Sequence, residues 1–180
     1  MPSPPISHRA DSALIDAIVA QRTHIAGLEQ ALWREPGDTR ALTAYQAAYR
    51  ELEALIARQG VDNRHSIVIV IPVADSPHHL RACIDSVLTQ CRTFGYGGMR
   101  NGRYCKVRVL LADDSADATA MKKNRRIVDA AEQAGLSVEY FGLEQQQALL
   151  QRLRDIDLRG IVGEYPADEL AHKGQGMMRN

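Results

Sequence analysis

Ser66-Ile67-Val68-Ile69-Val70-Ile71 is a run of β-branched aliphatic residues without polar alternation. A run of this kind is typical of a strand that is buried on both faces, as in a parallel sheet. Pro72 ends its regular pairing, and Ser76-Pro77 predicts the start of a helix. The glycine-rich residues 93–98, which follow this helix, predict a flexible loop. The packed side chains of the helix would be Leu80, Ile84, Val87 and Leu88.

A second buried strand is predicted over residues 107–112, followed by a polar turn at Asp113-Asp114. Asp117 can cap a helix that runs to about Ala134, and a third strand is predicted over residues 138–141. Strands that alternate with helices are characteristic of parallel βαβ units with right-handed crossovers. We therefore predict an α/β fold with a partial, Rossmann-like parallel sheet.

The segment before this region predicts two helices, because apolar residues recur at helical spacing on both sides of a Pro36-Gly37 turn. Asp38 can cap the second helix, and Gly60 is well placed to end it. Residues 11–59 are therefore predicted to form an antiparallel helical hairpin. The sheet region is predicted to form a second domain over residues 63–180.

Composition excludes several functional classes. The chain has 180 residues, of which 22 are basic, 22 acidic and 45% hydrophobic, as expected for a globular protein without a nucleic-acid partner. The longest uncharged apolar run, residues 67–74, is far shorter than the ~20 residues of a transmembrane helix. Residues 1–10 contain three prolines and no apolar signal core, so they are predicted to be disordered. Three cysteines without CxxC spacing favour reduced thiols and a cytoplasmic location.

Acidic residues follow the first two predicted strands where each strand ends. Asp75 follows the first strand, and Asp113 and Asp114 follow the second. Ligands of open parallel sheets bind at this edge. A carboxylate there can accept hydrogen bonds from a ribose hydroxyl or a base N–H, which suits the sugar–base half of a nucleotide. Alternatively, each Asp caps the next helix or builds an Asx turn.

Three motifs in chain order resemble those of family 2 glycosyltransferases. The hydrophobic strand ending in Pro72-Val73-Ala74-Asp75, with the helix after it, is similar to the start of that family. Residues 109–119 resemble its Val-Asp-Asp-Gly-Ser-x-Asp-x-Thr segment. Gly176-Met177-Met178-Arg179-Asn180 resembles its Gly-x-x-x-Ala-Arg-Asn. The resemblance covers about residues 66–142 and 174–180.

This resemblance implies a GT-A nucleotide-sugar domain that transfers a sugar from a nucleotide diphosphate, with UDP as the expected carrier, to an acceptor hydroxyl. The backbone around Pro72 and Val73 would contact the base, and Asp114 would hydrogen-bond the base or the ribose. Arg179 would help to hold the nucleotide, because a guanidinium can bind phosphate oxygens or stack on a base.

The chain also departs from that family. Asp75 stands where Asn is usual, the glycine after the acidic pair is missing, and residues 143–173 are an insertion. The Asp-x-Asp motif of the family, which binds Mg²⁺ or Mn²⁺ through oxygen ligands, follows Arg-Asn, where this sequence stops at Asn180. Asp155-Ile156-Asp157 precedes Arg-Asn, and we interpret it as a solvated helix end.

We therefore expect the nucleotide-binding half of a glycosyltransferase that ends before the metal-binding strand. Such a chain would bind a nucleotide weakly and would not turn over by itself. An alternative from another class is a non-catalytic module in which residues 11–59 bind a partner protein or form a homodimer.

Overall fold

The computed structural model describes residues 8–154. Within them the chain forms two compact units, one made of residues up to Ile67 together with Val87–Val107, and one made of Val68–Ser86 and the residues from Arg108 onward. The predicted roles of Arg179 and of residues 155–157 lie outside the described residues.

Helices separate the successive strands of the three-stranded parallel sheet, which confirms the predicted α/β class. The first helix begins at His8, three residues before the predicted start of the hairpin. No helix among the described residues combines the length and the apolar character needed to cross a membrane. In chain order the elements are α1 (His8–Arg34), α2 (Thr39–Gln59), β1 (Ile67–Val73), α3 (Pro77–Phe94), β2 (Met99–Arg100), β3 (Arg103–Tyr104), β4 (Val107–Asp113), α4 (Ala118–Gln133), β5 (Ser137–Phe141) and α5 (Leu143–Arg154).

The helices α1 and α2 form the predicted hairpin. The Asp38 carboxylate accepts hydrogen bonds from the backbone N–H groups of Arg40 and Ala41, at 2.8 and 3.0 Å, and so caps α2. Gly60 ends α2 in the left-handed conformation, with φ of 79°. One apolar stripe from each helix forms the core between them. Its buried members are Ile18, Ile25, Ala48, Leu52 and Ile56.

The second unit contains a three-stranded sheet in the order β1-β4-β5. The Ile67 N–H donates to the Lys106 carbonyl before β4, and the Asp114 N–H donates to the Val73 carbonyl at its end. These two bonds show that β1 and β4 run in the same direction. β4 and β5 are also parallel, with Val109 opposite Val138. The predicted parallel strands are therefore present.

The prediction that β1 is buried on both faces was wrong. Ile71 and Val73 are buried, at 8% exposed each, whereas Val68 and Val70 on the opposite face are 49% and 57% exposed. Successive side chains of a strand point to opposite faces, so one face of β1 packs in the core while the other remains open to solvent. Hydrophobicity of the run alone does not reveal which neighbours cover a strand.

The segment predicted to be a flexible loop leads into a short hairpin that the sequence analysis did not predict. β2 and β3 pair antiparallel, and Asn101 and Gly102 form the connection with φ of 52° and 75°. Two consecutive residues with positive φ are the mark of a type I′ turn, for which Asn-Gly is the preferred sequence. The Asn-Gly pair was therefore a usable signal.

An ion cluster fixes the connections of the first unit. Arg64 binds Glu53 in a bidentate pair, with both N···O distances at 2.6 Å, and its guanidinium lies 4.6 Å from the centre of the Tyr96 ring. Hydrogen bonds from Arg64 lower the pKa of Asp62 to about 2. The Gly97 N–H also donates to Glu53, at 2.9 Å. The buried Glu53 on α2 therefore anchors two loops, the one between α2 and β1 through Arg64 and the one between α3 and β2 through Gly97.

The loop glycines give a matched test of this packing. Gly97 and Gly98 both have left-handed φ values, 75° and 67°, where alanine costs about 1 kcal/mol. A Cβ at Gly97 would overlap the Lys106 side chain, whereas one at Gly98 would meet nothing within 4 Å. We expect Gly98→Ala to lose about 1 kcal/mol of unfolding free energy in urea, and Gly97→Ala to lose about 1–3 kcal/mol more. Equal losses would contradict the proposed packing at Gly97.

Candidate functional site

The carboxyl ends of β1 and β4 lie side by side in the second unit. The Asp114 N–H donates to the Val73 carbonyl at 2.8 Å, and the Asp75 N–H donates to the Ser115 hydroxyl at 2.9 Å. The structure therefore brings together five of the predicted site residues. They are Pro72, Val73, Asp75, Asp113 and Asp114.

Asp113 is the buried centre of this edge, with 3% of its surface exposed. Its carboxylate accepts hydrogen bonds from the Tyr140 hydroxyl at 2.6 Å, the Asn124 amide at 3.0 Å and the Ser115 N–H at 3.0 Å. Burial by itself would raise the pKa of Asp113, but the hydrogen bonds from Ser115, Tyr140 and Asn124 outweigh it and lower the pKa. Both carboxylate oxygens are engaged within the protein, so we assign Asp113 a structural role.

Three polar residues around Asp113 were missed by the sequence analysis. Asn124 is fully buried on α4, Tyr140 is the penultimate residue of β5, and the Gln146 amide on α5 donates to the Asp113 carbonyl at 3.1 Å. Burial and the hydrogen bond to Asp113 raise the pKa of Tyr140 to about 12. An asparagine in the apolar stripe of an amphipathic helix was the available signal, because a buried amide needs a polar partner.

Asp75 has a structural role that differs from both predicted alternatives, because it binds the turn after β4 rather than its own turn or the next helix. Its φ of 49° lies in the left-handed region, which Asp and Asn tolerate better than most residues. Its Oδ1 accepts hydrogen bonds from the Ala116 and Asp117 N–H groups, at 3.0 and 2.9 Å. The Asp117 carboxylate in turn caps α4, as predicted. Asp75 therefore holds the turn that follows β4.

Asp114 differs from both of these carboxylates. Its Oδ2 is shielded from solvent and has no hydrogen-bond partner among the described residues. Buried polar atoms are nearly always paired, because an unpaired one costs about 1–3 kcal/mol. This oxygen has an unused capacity to accept a hydrogen bond from a neutral or cationic donor, and rotation of the half-buried Asp114 side chain would bring it within reach of a ligand.

A pocket of about 240 Å³ lies at the end of β1. It is smaller than the ~300–1,000 Å³ of typical ligand sites, so it suits one ring of a ligand rather than a whole nucleotide sugar. Its walls are partly backbone and partly apolar side chains. They include Pro72, Val73, Ala74, His79, Leu80 and Cys83.

A metal site is not found in this part of the molecule. Within residues 8–154, no group of three or more His, Cys, Asp or Glu side chains could hold a metal ion. We therefore assign no ligands for the Mg²⁺ or Mn²⁺ that the resemblance implies, and we derive no step through a metal.

Comparisons with protein-family models, with curated proteins and with solved structures give no match to this chain. The functional interpretation therefore rests on the geometry above and on the motifs.

The adjacent carboxylates should respond differently to substitution. Asp113→Asn replaces one carboxylate oxygen by an N–H₂ group, which cannot accept the hydrogen bonds that the wild-type carboxylate receives. We expect a loss of about 2 kcal/mol in unfolding free energy. Asp114→Asn removes no hydrogen bond of Oδ2 within the described residues, so its unfolding free energy should stay within about 0.5 kcal/mol of the wild type. Urea denaturation measures both, and equal losses would contradict these assignments.

The Tyr140 hydroxyl should make stability dependent on pH in the alkaline range. The pKa of Tyr140 is raised from 10.0 to about 12 in the folded protein, so its stabilisation is complete below pH 10 and is lost as the pH rises towards 12. Tyr140→Phe should cost about 2 kcal/mol below pH 10. The difference in unfolding free energy between Tyr140→Phe and the wild type, measured by urea denaturation, should become smaller between pH 10 and 12. A constant difference would contradict the bond to Asp113.

Proposed function

We propose that the carboxyl edge of β1 and β4 binds the base and ribose of a nucleotide-diphosphate sugar, as in the donor half of a family 2 glycosyltransferase. The observation that carries the proposal is the Oδ2 of Asp114, which is shielded from solvent and has no hydrogen-bond partner within residues 8–154. The Asp114 N–H donates a hydrogen bond to the carbonyl of Val73, and Val73 lines the pocket at the end of β1.

The chemistry of this edge favours the nucleoside over the phosphates. A ribose O–H or a base N–H can donate to the Asp114 carboxylate, and hydrogen bonds to a charged acceptor are stronger than those between neutral groups. Phosphate groups, being anionic, would be repelled by the same carboxylate. We propose that Arg179 binds the phosphates, as the resemblance implies.

The strand order supports the same interpretation. Three parallel strands in the order β1-β4-β5 correspond to one half of a doubly wound sheet, whose nucleotide lies beside the first strand at the carboxyl edge. The pocket at the end of β1 could receive the base. We propose a UDP-linked sugar as the ligand and sugar transfer to an acceptor hydroxyl as the activity of the complete enzyme, with Mg²⁺ or Mn²⁺ as its cofactor.

The cysteines are compatible with a cytoplasmic setting for this activity. Cys83, Cys91 and Cys105 are all free thiols, and burial raises the pKa of the Cys91 thiol. Free thiols are usual in reducing compartments. We therefore propose the cytoplasm as the location.

Isothermal calorimetry with UDP and with UDP-sugars tests the proposal on the full chain. We expect weak binding that changes little when Mn²⁺ is added. Asp114→Asn should weaken binding about tenfold, because it removes one hydrogen bond to a charged acceptor.

Asp129→Asn is the matched control, since Asp129 is an exposed carboxylate on α4 of the same unit. It should bind as the wild type does. No binding by the wild type, or equal affinities for Asp114→Asn and Asp129→Asn, would overturn the proposal.

A further inference from the structure

The helix α1 carries a second row of apolar side chains, which are exposed and lie outside the core that α1 forms with α2. Ile15, Val19 and Trp33 are 49%, 56% and 79% exposed, whereas Ile18 and Ile25 of the same helix are buried in the hairpin core. An exposed tryptophan in line with exposed aliphatic residues is typical of a protein-binding surface.

The spacing of this outer stripe is regular. Residues 15, 19, 22, 26, 29 and 33 are separated alternately by four and three positions, which places them on one helix face in a heptad pattern. The positions between the apolar residues hold Arg22, Ala26 and Glu29, which are also exposed. We call these six residues the outer stripe.

We propose that the outer stripe pairs antiparallel with the outer stripe of a second copy of this chain. In that pairing Ile15 faces Trp33 of the second copy, and Trp33 faces its Ile15. The same register places Val19 opposite Glu29 and Arg22 opposite Ala26. All three pairs share one midpoint on α1, so the stripe is complementary to itself.

Charge complementarity selects this partner and this orientation. In the antiparallel register, the pair of Arg22 and Ala26 lies about one helical turn from the pair of Val19 and Glu29. Arg22 is therefore a neighbour of Glu29 of the second copy, and this contact occurs twice by symmetry. In a parallel register Arg22 would face Arg22 and Glu29 would face Glu29, which is repulsive. The long aliphatic stems of both side chains can cover Val19 and Ala26 while their charges meet at the edge.

This inference concerns the first unit and is independent of nucleotide binding by the second. It also differs from a four-helix dimer built on the seams that join α1 to α2, because those seams are already buried within one chain.

Sedimentation equilibrium of the full chain tests the proposal over about a hundredfold range of concentration. The wild type should be in a monomer–dimer equilibrium. Trp33→Glu should raise the dimer dissociation constant by at least about 30-fold, because the symmetric dimer loses two aromatic contacts at once. Leu42→Glu is the control, because Leu42 is 42% exposed on α2 and lies outside the outer stripe. It should dimerise as the wild type does.

Charge reversal identifies the register. Arg22→Glu should weaken the dimer, because it places a second carboxylate beside Glu29 of the other copy in both symmetry-related contacts. The double variant R22E/E29R should restore the dimer, because it restores opposite charges at both contacts. Circular dichroism checks that each variant keeps its helices. A monomeric wild type, a dimer that Trp33→Glu leaves intact, or a double variant no better than Arg22→Glu would each overturn the proposal.

Discussion

The buried carboxylate of Asp113 is the constraint on which the second unit depends. It accepts hydrogen bonds from Tyr140 at the end of β5, from Asn124 inside α4 and from the backbone of Ser115. Leaving a charge unpaired in a protein interior costs several kcal/mol, so these partners must stay in place. The turn after β4 is thereby fixed, and with it the position of Asp114 beside Val73.

Neighbouring carboxylates at this edge consequently have different functions. Asp113 ends the buried face of β4, whereas Asp114 is the next residue and leaves the strand. Asp75 is committed to the backbone N–H groups of the turn. Of the three predicted carboxylates, Asp114 has an oxygen that is shielded and unpaired among the described residues. The nucleoside proposal therefore depends on one oxygen atom placed by two structural aspartates.

Local patterns predicted the hairpin helices and the strands of the parallel sheet, whereas long-range contacts determined which faces are buried and which polar groups meet. Capping by Asp38 and termination at Gly60 follow from neighbouring backbone groups, so the hairpin could be predicted from the sequence. The exposed face of β1 could not, because burial depends on elements distant in the chain. The Asp113–Asn124–Tyr140 network was missed for the same reason: its members lie on β4, α4 and β5 and meet only after the crossovers form.

The most direct test of the central claim is a nuclear magnetic resonance titration of the ¹⁵N-labelled full chain with uridine and then with UDP. If the edge holds a nucleoside, uridine alone should shift the amide signals of Val73, Ala74, Asp114 and Ser115, while those of the first unit should stay in place. Two results would contradict the account: no shift at these four amides with either ligand at saturating concentration, or shifts that are confined to amides of the first unit.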